Sequence, residues 1–218
     1  MFAEKLAQIK KNIENAQAES PYKGEVTIVG VTKNQPVSAA NEIIENGISI
    51  IAENRVQAMK EKAELLLPSK RHLIGHLQTN KARAALSLCD VIQSVDSERL
   101  LLDLNRISAE TGKVAEIFFQ VNIAREEIKF GLFKEELAGI MKTAASLENI
   151  KVSGLMAIMP IETKLDYYKD MYDVYAEAKQ TSYPNIDLKY LSMGMSNDYE
   201  AAVSCGANMV RLGRCLFN

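Results

Sequence analysis

VTIVGVTKNQP, residues 26–36, reads as one strand and its exit. Val26, Ile28, Val29 and Val31, with Gly30 among them, make a run apolar enough to be buried on both faces, as strands of a parallel sheet are. Thr32, Lys33, Asn34 and Pro36 follow, and the chain turns at once. An open dinucleotide-binding sheet carries a G-x-G-x-x-G fingerprint after its first strand, because the pyrophosphate needs close backbone approach. No such glycines stand here. The stretch therefore favours a closed barrel over an open doubly wound sheet.

The same alternation continues outward along the chain. Strand-like apolar runs occupy residues 25–32, 48–53, 71–75, 91–95, 114–122, 151–156, 188–193 and 209–213. Helix-period segments lie between them at 37–46, 55–67, 81–88, 98–111, 134–146, 164–179 and 198–205. An opening helix, with Phe2, Leu6, Ile9 and Ile13 at helical spacing, stands apart from this series. Thr163 three residues before Asp166, and Asn197 three before Glu200, read as helix N-caps. The fold class is α/β: a single (β/α)8 TIM barrel with an extra N-terminal helix. Such barrels run to about 250 residues and rarely under about 200. The 218 residues here predict short loops and one domain over 1–218.

Composition bounds the function. Apolar residues make up 47% and charged residues 25%, the net charge is −2 and the pI about 5.8. With no long basic run, no nucleic-acid partner is expected. No apolar run is long enough to span a membrane, and the N-terminus lacks the continuous apolar core of a signal peptide. Cys89, Cys205 and Cys215 are odd in number and form no C-x-x-C motif. Reduced thiols in a cytoplasmic protein are the expectation.

Barrel chemistry sits at the C-terminal ends of the strands. The predicted ends bring Lys33, Glu53, Asn54, His76 and Asn122 to that rim, followed by Ser192, Gly194, Arg211 and Gly213. Lys33 is either a surface lysine at a strand end or an amine poised for Schiff-base chemistry, activated by desolvation or a nearby cation. In LSMGMSNDYEAA, residues 191–202, a strand runs through Ser-x-Gly-x-Ser into a helix, either a plain turn with a serine cap or an anion-binding turn. Arg211 interrupts an apolar strand. Alternation puts Val210 and Leu212 on one face and Met209, Arg211 and Gly213 on the other. A guanidinium inside a barrel needs acceptors, and a buried ion pair with Glu53 is one solution. The last two strands suggest a phosphate, and the first supplies an amine. A phosphorylated aldehyde answers to both. His72 and His76 are the only histidines, and no third zinc ligand accompanies them. His72 reads as the start of a strand and His76 as a pocket residue. Tyr168, Tyr172 and Tyr175 recur as core positions, and Glu126 and Glu127 as solvated loop charges.

VTKNQP, ENRVQ (53–57), HLIGHLQTNK (72–81), QVNIAREEIKFG (120–131), GLMAIMP (154–160) and LSMGMSNDYEAAVSCGANMVRLGRCLF (191–217) together resemble the pyridoxal phosphate homeostasis protein family, related to the barrel domain of alanine racemase. The resemblance implies pyridoxal 5′-phosphate as cofactor, carried by Lys33 as an internal aldimine. It implies that Ser192, Gly213 and Arg214 hold the phosphate, with Met193 beside them. Arg211 would face the pyridine nitrogen, and Asn54 and His76 would line the pocket. No residue is assigned as catalytic and none as a metal ligand. Ala52 departs from the glycine that the family often has before ENR, and the family's glycine-basic tail is missing after Phe217.

The implied role is intracellular homeostasis of the cofactor, with no strong catalysis. Apo pyridoxal phosphate enzymes would be partners, and the protein a monomer. Arginine only donates, so Arg211 would keep the ring nitrogen unprotonated and the electron sink weak. Alanine racemase overcomes this with a tyrosine from a second domain, for which this chain has no residues left. An amino-acid racemase is the alternative reading, and an aldolase-type barrel using Lys33 a third.

Overall fold

The computed structural model describes residues 2–160 and 164–217. Eight parallel strands close into a barrel in sequential order: β1 (Thr27–Val31), β2 (Ile50–Glu53), β3 (Lys70–Leu73), β4 (Val91–Val95), β5 (Ala115–Val121), β6 (Ile150–Ala157), β7 (Ile186–Met195) and β8 (Met209–Leu212). The barrel closes where β1 pairs with β8, Val29 opposite Arg211. Helices α1 (Phe2–Gln17), α2 (Val37–Glu45), α3 (Val56–Lys62), α4 (Ala82–Leu88) and α5 (Glu98–Thr111) are followed by α6 (Lys134–Ala145), α7 (Leu165–Lys179), α8 (Tyr199–Ser204) and α9 (Arg214–Phe217).

Every expected strand is present; most are apolar runs buried on both sides, while β3 (KRHL) enters through exposed Lys70 and half-buried Arg71 and is buried only at His72 and Leu73. Alternation divides the buried side chains into two layers. Val29, Val31, Ile50, Ala52, Phe118, Met156 and Met209 fill the barrel. Val210 and Leu212 face outward and share a cluster with Leu6, Ile9 and Ile13 of α1. Those three α1 residues are each buried, an arrangement worth about 1.5–3 kcal/mol per side chain. They fasten α1 across α8 and α9, helped by Asn12 Nδ2, which donates to the Tyr199 hydroxyl at 2.9 Å. Ala52 is fully buried in the interior layer, so its methyl is accommodated without loss of the strand.

The differences from expectation have local causes. Helix α3 ends at Lys62 rather than residue 67, because Asn41 of α2 captures the following backbone: its Nδ2 donates to the Leu65 carbonyl (3.0 Å) and its Oδ1 accepts from Leu67 N–H (2.9 Å). The 3-10 turn Thr79–Lys81 and α9 are too short to show periodicity. Asp198, not Asn197, is the N-cap position of α8, and its side chain does not cap the helix. Thr163 lies outside the described residues. Among the described residues no helix is long and apolar enough to cross a membrane.

Strand β7 is the longest, and it bulges. Ser192 pairs with Met209 but Met195 with Arg211, so three steps on β7 match two on β8. Gly194 makes this possible with φ +90, a region that L side chains avoid. A Cβ there would lie 2.5 Å from the Ala202 Cβ and 3.0 Å from the Tyr199 Cα. Gly194→Ala is expected to destabilise the protein by about 1–3 kcal/mol through backbone strain alone. The check is urea unfolding: the midpoint falls while the slope is unchanged.

Candidate functional site

Lys33 sits in the turn that leaves β1, with Asn34 at φ +62 forming its corner. Val29 and Val31 point into the barrel, and Lys33 continues that alternate series at the rim. It is exposed, as the surface-lysine reading has it, and among the described residues it makes no hydrogen bond or ion pair. Its backbone is held from outside. Lys62 Nζ donates to the carbonyl of the preceding Thr32 (2.7 Å) and pairs with Glu53 Oε1 (2.6 Å), which also accepts from the Thr32 hydroxyl (2.8 Å). Glu53 is fully buried on the outward face of β2. It is neither a rim ligand nor the partner of Arg211, because Ile50 and Ala52 take the inward positions of that strand.

Two adjacent loops complete the neighbourhood. Ser196 Oγ, just past β7, accepts from the backbone N–H of Gly213 (3.2 Å) and of Cys215 (3.3 Å). These amides therefore converge on one oxygen. Asp198 fixes the loop by accepting from Met195 N–H and the Tyr168 hydroxyl, each at 2.6 Å. A Cβ on Gly213 would lie 3.2 Å from the Val31 carbonyl, so the amide pair abuts the end of β1 that carries Lys33. Arg214 is exposed at the start of α9.

The expectations for Ser192 and Met193 need correction. Ser192 is fully buried inside the barrel, its hydroxyl donating to Gln93 Oε1 (2.7 Å) and accepting from Arg211 Nη1 (2.9 Å). It is not beside the Gly213 and Cys215 amides. Met193 is buried in the layer between strands and helices and faces away from the rim. Register is the reason: Ser192 lies level with Met209, four residues before Gly213, whereas Met195 is already level with Arg211, so Ser196 is the serine that reaches the turn after β8. The second serine of Ser-x-Gly-x-Ser was visible in the sequence; the pairing register of β7 with β8 that selects it was not.

Arg211 is 3% exposed and, among the described residues, has no carboxylate within bonding reach. Nη1 donates to the Ser192 carbonyl (2.7 Å) as well as its hydroxyl, and Nη2 to the Ala157 carbonyl (2.8 Å). Burial pushes its pKa down to about 10, with Asp198 opposing, so it stays a cation at neutral pH. With three of its five N–H groups engaged, two remain for a ligand.

His76 and Asn54 lie on the neighbouring stretch of rim. His76 Nδ1 is 2.7 Å from Asp96 Oδ2, and its ring stacks on Phe130 at 3.6 Å and 8°. Gln120 Nε2 holds the Phe130 carbonyl (2.8 Å), so the 122–133 loop arches over this side. Asn54 is exposed, and Gly75 lets its carbonyl approach the His76 turn. Asn122 is a clamp for that loop: its Nδ2 donates to the Glu126 and Lys129 carbonyls. Glu126 is half-buried and paired with Lys129, whereas Glu127 is exposed. His72 is buried within the barrel, not at a strand's start, and burial, with Lys70 nearby, pushes its pKa down to about 3. Among the described residues no group of three His, Cys, Asp or Glu is placed to hold a metal ion. Tyr168 and Tyr175 are core residues, and Tyr172 packs against that core.

The amine, the converging amides and the buried cation share one seam, which is where the relatives become informative. The profile described as "Alanine racemase, N-terminal domain" matches residues 5–218. The pyridoxal phosphate homeostasis protein of Aquifex aeolicus is 34% identical over 98% of this chain and 96% of its own length. That of Escherichia coli is 34% identical over 99% and 95%. The chain belongs to the pyridoxal phosphate homeostasis protein family. PipY of Synechococcus elongatus, solved with pyridoxal phosphate bound, superimposes with a TM-score of 0.85 at 33% identity over 100% of both chains. Alanine racemase of Clostridium difficile shares the fold, with a TM-score of 0.74 at 17% identity, over 95% of this chain and 54% of its own.

Proposed function

We propose that this protein binds pyridoxal 5′-phosphate at the seam of β1, β7 and β8 and serves in its intracellular homeostasis. When bound, the cofactor supplies an aldehyde that condenses with a primary amine, releasing water, and an electron-withdrawing ring. The residues fit it. Lys33 offers an unpaired amine. The amides that already hold the Ser196 oxygen offer donors to a phosphate oxygen, with Ser196 able to rotate and donate. The Arg214 N–H, as the family resemblance implies, adds to them. The free N–H groups of Arg211 are donors to a ring nitrogen, and Asn54 and His76 flank the opening. The observation that carries this reading is the convergence of the Gly213 and Cys215 amides on one oxygen beside Lys33.

A donor-only arginine at the ring favours storage over carbanion chemistry. We assign the protein a cytoplasmic location, in keeping with its three free thiols, a monomeric state, and apo-enzymes as recipients. Purified protein is expected to bind the cofactor with a visible absorption band, to elute as a monomer, and to reactivate an apo-enzyme. Sustained exchange of the α-proton of alanine with solvent, at enzymatic rates, would overturn the storage role in favour of a racemase.

Ser196→Ala is expected to weaken pyridoxal phosphate binding by about ten- to a hundredfold, the value of one charge-assisted hydrogen bond. Binding of unphosphorylated pyridoxal should be unchanged. Titration with both ligands is the check; equal losses for the two would move the phosphate elsewhere.

A further inference from the structure

Gln93 is fully buried on β4 and joins β8 to β3 through the barrel interior. Arg211 Nη1 donates to Ser192 Oγ (2.9 Å), Ser192 Oγ to Gln93 Oε1 (2.7 Å), and Gln93 Nε2 approaches His72 Nδ1 (2.7 Å). The direction of this series follows from the Gln93 amide orientation, with Oε1 on the Ser192 side and Nε2 on the His72 side. Arginine has no acceptor, so the single Ser192 hydrogen cannot point at Arg211 and goes to Gln93 Oε1. The Gln93 amide is thereby oriented with Nε2 toward His72, which must present a lone pair at Nδ1. His72 is then neutral, with its proton on Nε2, a buried atom that has no partner.

Each dipole in the series turns its negative end toward Arg211. The barrel thus solvates a buried cation with neutral groups and, among the described residues, leaves its charge uncompensated by any bonded carboxylate. A carboxylate at position 93 would cancel that charge. An apolar residue would free the Ser192 hydroxyl to rotate, and the guanidinium with it. We infer that Gln93 is a positioning residue that, through Ser192, holds Arg211 oriented and uncompensated toward the ligand. The inference rests on the cofactor reading above for its consequence, but not for the existence of the series.

Two measurements separate these. In protein free of cofactor, the imidazole nitrogens of the only two histidines are read by NMR. Wild type should show His72 as the Nε2–H tautomer. Ser192→Ala should shift its Nδ1 resonance, and this shift should vanish in the Gln93→Leu background. Arg211→Lys serves as a second probe if Ser192→Ala folds poorly. A Ser192→Ala shift of the same size in both backgrounds, or an Nδ1–H tautomer in wild type, overturns the series whatever the cofactor does.

With pyridoxal phosphate added, Gln93→Leu should weaken binding about tenfold and displace the visible absorption maximum. Neither effect should add to that of Ser192→Ala. Fully additive losses, or a drop in thermal stability with affinity and spectrum unchanged, would make Gln93 a packing residue and overturn the inference. If wild type bound no pyridoxal phosphate while the NMR coupling held, the cofactor reading would fail and the series would stand.

Discussion

Lys33→Ala protein mixed with pyridoxal phosphate is expected to stay free of the absorption band that wild type acquires, and to yield no labelled peptide after borohydride reduction and digestion. The loss should be complete rather than graded, since among the described residues no other amine is placed at the seam. Lys62 is committed to Glu53 and Thr32 on the outer face, and Lys129 to Glu126 and the Met159 carbonyl. The fold should not suffer. Lys33 is exposed and unpaired, so its truncation falls among surface substitutions worth about 0.5 kcal/mol or less. The amide pair and Ser196 are intact in this variant, so a small primary amine such as methylamine should restore the band when added with the cofactor. Label on a different lysine in the variant, or on a peptide without residue 33 in wild type, would defeat the assignment.

The second large effect is in acid. His72 takes up its proton only near pH 3 in the folded protein, against an ordinary value of 6.5, chiefly because burial penalises the imidazolium. Between those values the unfolded chain binds a proton that the native state refuses. The contribution is therefore fully present above pH 6.5 and is lost as pH falls toward 3. At about 1.36 kcal/mol per unit, the loss sums to about 5 kcal/mol across the window. That is a large share of a typical domain's 5–15 kcal/mol. Carboxylates add their own acid sensitivity, so the comparison is with His72→Gln, which keeps an acceptor for Gln93 and cannot ionise. The stability difference between the two proteins, from urea unfolding at successive pH values, should shift against wild type by about 1.4 kcal/mol per unit below pH 6.5. Parallel curves would show that His72 titrates alike in both states.

Much of this protein was legible in its residues, and the limits fall in identifiable places. Val91–Val95 and Glu98–Thr111 have the bounds expected of them, because a strongly apolar run and a Ser97-to-Gly112 helix carry their own stop signals. The end of α3 was not legible, since it is set by Asn41 on a different helix. Lys33 was found from its place after a buried strand, and Arg211 from its intrusion into an apolar one. Glu53 was misplaced by the same reasoning, because its partner Lys62 becomes visible only when α3 packs on β2. Asp96, Phe130 and Gln93 bear no local mark: each matters through a residue on another strand or loop.

Strand number, strand order, barrel closure and the location of Lys33 at the rim are determined by the sequence itself. They follow from the length and spacing of apolar runs, which are properties of the chain alone. Which serine meets the Gly213 and Cys215 amides, and what surrounds Arg211, was decided only by tertiary structure. Pairing places Ser192 level with Met209 and Met195 level with Arg211, so the serine at the turn after β8 is Ser196 and the one beside the guanidinium is Ser192. That register is a relation between two strands and their packing, which no single segment contains.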